Sequence, residues 1–129
     1  TGNTEAMANA VVDGIREKGG EAVLHTCEDF DGSKVVEYDA IAFGCPAMGD
    51  EVLEDTEFEP MFDGCKDALK GKNIALFGSY GWGDGEWMRN WEDSCKEAGA
   101  NLVCESVICQ EEPDDEATEA CKALGAALV

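Results

Sequence analysis

Positive charge is scarce in this sequence. Nine lysines and arginines stand against 29 aspartates and glutamates, for a net charge of −20 at pH 7. A field that negative repels nucleic acid and anionic membrane, and both are excluded as expected partners. It favours basic protein surfaces and speeds their encounter at low salt. No apolar run approaches the length of a bilayer span, and no signal-peptide pattern opens the chain, so the expected location is cytoplasmic. Histidine is nearly absent: His25 is the only one. With no Ser/His/Asp or Cys/His set, no hydrolytic centre is expected, and no catalytic residue and no metal ligand is assigned. Cysteine is plentiful, at seven residues, but its pairing motifs are missing. There is no CxxC. The nearest pair, Cys104 and Cys109, has a spacing that fits neither zinc nor a common iron–sulfur run. The odd, scattered set predicts free thiols in a reducing compartment, used as small buried apolar residues.

What is present suffices for one core. The chain has 129 residues, 44% of them hydrophobic, and residues 1–129 are expected to form a single domain. It opens on Thr1 without a methionine, so an N-terminally incomplete domain is expected. Met7, Val11 and Ile15 recur at helical spacing and predict a helix over Asn3–Lys18, ended by Gly19-Gly20. Ala22–His25 reads as a short strand, and Cys27–Lys34 as a polar loop. Ala40–Cys45 is a continuous apolar run, as expected of a strand buried on both faces. An acidic loop, Ala47–Glu59, precedes a helix from Pro60 to about Leu69, with Gly71 at its stop. Asn73–Ser79 reads as a second buried strand and Glu86–Ala98 as a helix ended by Gly99. Asn101–Ile108 reads as a strand, and Asp114–Leu128 as a helix with Asp114 as its cap. This alternation predicts an α/β fold with a mostly parallel sheet.

In such sheets the carboxyl ends of the strands hold ligands, and three loops fall there. Thr1-Gly2-Asn3-Thr4-Glu5 opens the first helix with two hydroxyls, an amide and free N–H groups. It suits either an anion or an ordinary Asn/Thr cap. No base appears before Arg16, so a phosphate there would be held by neutral donors. Ala47-Met48-Gly49-Asp50-Glu51 offers a polarizable thioether beside a glycine that permits unusual peptide orientations. It starts a run with seven acids and no base between Pro46 and Cys65. Ser79-Tyr80-Gly81-Trp82-Gly83 places aromatics among glycines. Trp82 suits stacking on a planar ring, the alternative being a cap on the core; Trp87 and Trp91 on the following helix are better placed to fill that core. A second acidic run, Glu105–Glu119, again holds seven acids and no base, and reads as a solvated face that also contributes to docking.

Together the three loops resemble those of the flavodoxin family, specifically its short-chain clostridial type, and the resemblance runs from Thr1 to the C-terminus. It implies a flavodoxin-like doubly wound five-stranded parallel sheet of order 2-1-3-4-5, with strand 1 missing from this chain. Such a chain is expected not to fold stably alone, because the gap would expose unpaired edges and apolar surface. The resemblance also implies non-covalently bound FMN and low-potential one-electron transfer rather than enzymatic turnover. Thr1, Asn3 and Thr4, with the amides around Gly2, would bind the phosphate. Met48 and Trp82 would cover the two flavin faces. The Gly49–Asp50 peptide would present its carbonyl to flavin N5, and Glu51 would accept from N3. Ala47, Ser79, Tyr80, Gly81 and Gly83 would complete the loops. Pro46 departs from a serine found in some relatives and is given no phosphate role. Implied partners are basic redox enzymes, met transiently and salt-sensitively by a monomer. The alternatives are an FMN-dependent quinone or nitro reductase, which would need the flavin face that Trp82 covers, a domain of a larger flavoprotein, or a non-flavin binding module of the same fold.

Overall fold

The computed structural model describes residues 2–45, 47–48, 52–53, 58–80, 85–110 and 112–129; at 2, 27, 47, 48, 52 and 53 it describes the backbone alone. Helix α1 spans Gly2–Glu17. It stops where Gly19 turns to a φ of 95°, a conformation that only glycine adopts without strain. A short helix α2, Gly32–Val35, is capped by Asp31, whose carboxylate accepts from the Ser33 N–H. Strand β1, Ala40–Gly44, leads to the two-residue strands β2, Ala47–Met48, and β3, Val52–Leu53, which pair antiparallel. Helix α3, Phe58–Cys65, precedes β4, Asn73–Tyr80, then α4, Glu86–Glu97. Strands β5, Asn101–Leu102, and β6, Val107–Gln110, lead to α5, Asp115–Ala127. Asp114 caps α5 by accepting from the Ala117 N–H at 2.8 Å.

The sheet is parallel. β4 is central, with β1 on one side and β5 and β6 along the other. Helices cover both faces. The alternation along β4 decides which side chain meets which layer. Ile74 and Leu76 enter a core with Phe43, Phe58, Phe62, Trp87 and Trp91 beneath α3 and α4. Ala75 and Phe77 enter a second core with Met7, Val11, Cys121 and Leu124 beneath α1 and α5. The two helices of this second layer nearly touch. A Cβ on Gly125 would lie 2.2 Å from the Val11 carbonyl oxygen, and one on Gly14 would lie 2.0 Å from that of Lys122. Only glycine at these positions permits the crossing. As the sequence predicts, Trp87 and Trp91 are core residues, stacked with centroids 6.3 Å apart.

Four expectations need correction. The strand expected at Ala22–His25 forms no ladder with any described strand. A cleft of about 1040 Å³, lined by Val11, Ile15, Val23, Leu24 and Ile41 among others, lies between this segment and β1. An extended segment without a neighbour in hydrogen-bonding reach is no strand, whatever its propensity. The loop expected at Cys27–Lys34 contains a 3₁₀ turn, Cys27–Asp29, and the start of α2. The helix expected from Pro60 begins two residues earlier, with Pro60 still in its first turn, and ends at Cys65 before a 3₁₀ turn over Lys66–Ala68. Finally, Asn101–Ile108 is two strands. Asn73 pairs with Asn101 but Phe77 pairs with Val107, so two extra residues bulge out between β5 and β6. Ser106 in this bulge donates to Glu92 of α4 at 2.7 Å.

Candidate functional site

β1 and β4 run parallel, and their carboxyl ends lie together. Cys45, just past β1, donates from its N–H to the Phe77 carbonyl at 3.2 Å. Gly78 makes this approach possible. A Cβ there would meet the Cys45 carbonyl oxygen at 2.1 Å and the Trp87 ring at 2.4 Å. The segments that leave at 45 and at 80 therefore start side by side.

The N-terminus of α1 reaches the same place. Ser79 follows Ala75 and Phe77 in the alternation of β4, so it faces α1, and its side chain is buried at 4% exposure. Its hydroxyl lies 3.0 Å from the Thr4 hydroxyl. Asn3 and Thr4 stand in the first turn of α1, where backbone N–H groups have no intrahelical acceptor and the helix dipole is positive. α1 carries no base before Arg16. These are neutral donors at a helix start, adjoining the start of two loops. A helix N-terminus of this kind suits an anionic group.

The structure thus brings Gly2, Asn3, Thr4, Ser79 and Tyr80 of the expected site together at one end of the sheet, with the β2 backbone at Ala47 and Met48 following β1. The Tyr80 ring is half-buried and packs on the core beneath α3 and α4. Thr1, Gly49, Asp50, Glu51, Gly81, Trp82 and Gly83 lie outside the described residues. Reading the sequence did not foresee the Thr4–Ser79 bond. The signal for it was the period of two along β4, which puts Ser79 on the α1 face.

Near one end of the cleft, His25 Nδ1 sits 2.9 Å from Asp29 and Nε2 sits 2.7 Å from the Tyr38 hydroxyl. The hydrogen bond to His25 holds the Asp29 carboxyl below its ordinary range. Among the described residues no group of three or more His, Cys, Asp or Glu side chains could hold a metal ion. No helix among them is long and apolar enough to cross a membrane.

None of the six described cysteines is in a disulfide. Burial pushes the Cys65 and Cys121 thiols up to about 11 and the Cys95 thiol up to about 12, from an ordinary 9.0. Burial also raises Cys104 and Cys109. A native state that holds its thiol protons more tightly than the unfolded chain loses stability as pH rises above the unfolded value. The unfolding free energy is therefore expected to be level up to about pH 8 and to fall from about pH 9 towards 12. Urea midpoints at pH 8, 9 and 10 check this; a constant midpoint would show that the buried thiols ionise as easily as free ones.

The family model described as Flavodoxin matches residues 1–125. The flavodoxin of Clostridium beijerinckii is 44% identical over 125 residues, covering 97% of this chain and 90% of its own. That of Megasphaera elsdenii is 44% identical over 127 residues, covering 98% and 90%. The solution structure of two-electron reduced Megasphaera elsdenii flavodoxin superimposes with a TM-score of 0.91 at 45% identity, covering 99% of this chain and 91% of that one.

Proposed function

The chain belongs to the flavodoxin family, and from that premise we propose how its residues share the work of holding a flavin and meeting a partner. It is an FMN-binding electron carrier and not an enzyme. FMN, when bound, supplies one-electron redox chemistry; the protein binds, orients and tunes it. The observation that carries the assignment is the 3.0 Å Thr4–Ser79 bond, which ties the anion-binding end of α1 to the end of the central strand. Thr1, Gly2, Asn3 and Thr4 take the phosphate through hydroxyls, the Asn3 amide and backbone N–H groups. Met48 and Trp82 take the two ring faces, within loops completed by Ala47, Tyr80, Gly81 and Gly83. The Gly49 carbonyl would accept a hydrogen bond from flavin N5–H, with Asp50 completing that peptide, and the Glu51 carboxylate would accept one from N3–H. Residues 1–129 act as one FMN-binding domain, a cytoplasmic monomer.

Asp50, Glu51, Glu54 and Asp84 disfavour added negative charge near the ring, which makes this a low-potential carrier. The net charge of −20 steers basic faces of redox enzymes to the site in brief, salt-sensitive encounters.

Titration with FMN, followed by stepwise reduction, tests the assignment. Bound flavin bands, quenched fluorescence and two separated one-electron steps are expected. Replacing Asp50 and Glu54 by amides should raise the second potential by roughly tens of millivolts, since a tenfold shift in a one-electron equilibrium is about 59 mV. A folded protein that leaves FMN free, or amide variants whose potentials do not move, would overturn it.

A further inference from the structure

We propose that Ser79 is a positioning residue for phosphate recognition: its buried hydroxyl donates to Thr4 Oγ1 and so aims the Thr4 proton outward, at an anionic ligand group on the α1 N-terminus. The inference rests on the reading of the site given above.

Among the described residues Ser79 is the one buried polar side chain. A buried hydroxyl is costly unless hydrogen-bonded, and Thr4 Oγ1, at 3.0 Å, meets that need. Each hydroxyl has one proton and two lone pairs, so only one of the two can donate to the other. Were Thr4 the donor, its proton would point inward and its lone pairs would face the ligand, repelling an anion. With Ser79 as donor, the Thr4 proton is free for a phosphate oxygen. α1 has no base before Arg16, so hydroxyl, amide and backbone protons are all it can offer. A bound anion therefore selects the direction Ser79 to Thr4 to phosphate. Two hydrogen bonds in series also polarise each other and strengthen the outer one. Because Ser79 sits on β4 and meets α1 through the Thr4 hydroxyl, it acts through Thr4 and has no need to touch the ligand.

The test compares affinities for FMN and for riboflavin, which lacks the phosphate. In Ser79→Ala, FMN affinity is expected to fall roughly three- to tenfold, in line with the loss of one hydrogen bond between neutral groups. Riboflavin affinity should stay within about twofold, and Ser79→Thr, which keeps the hydroxyl, should restore FMN binding. Thr4→Val should lose FMN affinity too, and the double variant should be no weaker than Thr4→Val alone, because the two residues act in one chain. An equal loss for FMN and riboflavin in Ser79→Ala would mean that Ser79 serves the ring or the fold, and would overturn the proposal. Unchanged FMN affinity, or additive losses in the double variant, would overturn it as well. Wild-type protein that binds riboflavin and FMN equally would instead overturn the phosphate site itself, and the proposal with it.

Discussion

Replacing Trp91 with alanine is expected to lower the unfolding free energy by about 3–5 kcal/mol, whereas replacing it with phenylalanine should cost much less, on the order of 1 kcal/mol or below. Trp91 is 2% exposed. It stacks on Trp87 and meets Phe58 and Phe62 edge to face, with centroids 5.3 and 5.7 Å away. Alanine would remove the hub of this aromatic cluster and leave a void in its place. Phenylalanine keeps the ring contacts. It also removes an indole N–H that is buried without a hydrogen-bond partner among the described residues. Such an orphan donor costs about 1–3 kcal/mol, so losing it offsets much of the lost volume. Urea denaturation of the three proteins checks this. A phenylalanine variant destabilised by about 2 kcal/mol or more would show that the indole N–H is satisfied in the native state and that its loss offsets nothing.

Joining an extended aliphatic segment of about five residues ahead of Thr1 is expected to stabilise the fold by a few kcal/mol. The cleft between residues 21–26 and β1 is lined by Val11, Val23, Leu24 and Ile41, and β1 pairs with β4 on one edge only among the described residues. The direction is right. Thr4 bonds Ser79 at the carboxyl end of β4, so a chain running along the cleft parallel to β1 would arrive at the start of α1. Five buried aliphatic side chains at about 2 kcal/mol each, against about 1.5 kcal/mol of ordering per residue, leave roughly 2–3 kcal/mol before the new ladder is counted. A Gly/Ser segment of equal length is the control. Equal stability with either segment would show that the cleft is not a strand slot, and that the sheet order expected from the resemblance does not govern this chain.

Several elements were legible in the sequence because they depend on near neighbours alone. Met7, Val11 and Ile15 mark one face of α1. Asp114 announced the cap it makes, and Gly99 the left-handed turn, φ 83°, that ends α4. The apolar runs of β1 and β4 required burial on both faces, and with them a parallel sheet between two helical layers. The loop residues Met48, Gly49, Trp82 and their neighbours carried the family resemblance without any structure. Contacts between distant segments had to come from the tertiary structure. Val23 and Leu24 have the composition of a strand, yet a strand exists only where another backbone lies within hydrogen-bonding reach, and among the described residues none does so across the cleft. The bulge that splits Asn101–Ile108 depends on where β4 sits beside it. The glycines at 14 and 125 look like weak points in two helices until the helices are seen to cross through them. Thr4 and Ser79 are 75 positions apart. Propensity and period can state which face each occupies, but only the packing of α1 on β4 decides that the two faces meet and that one hydroxyl orients the other.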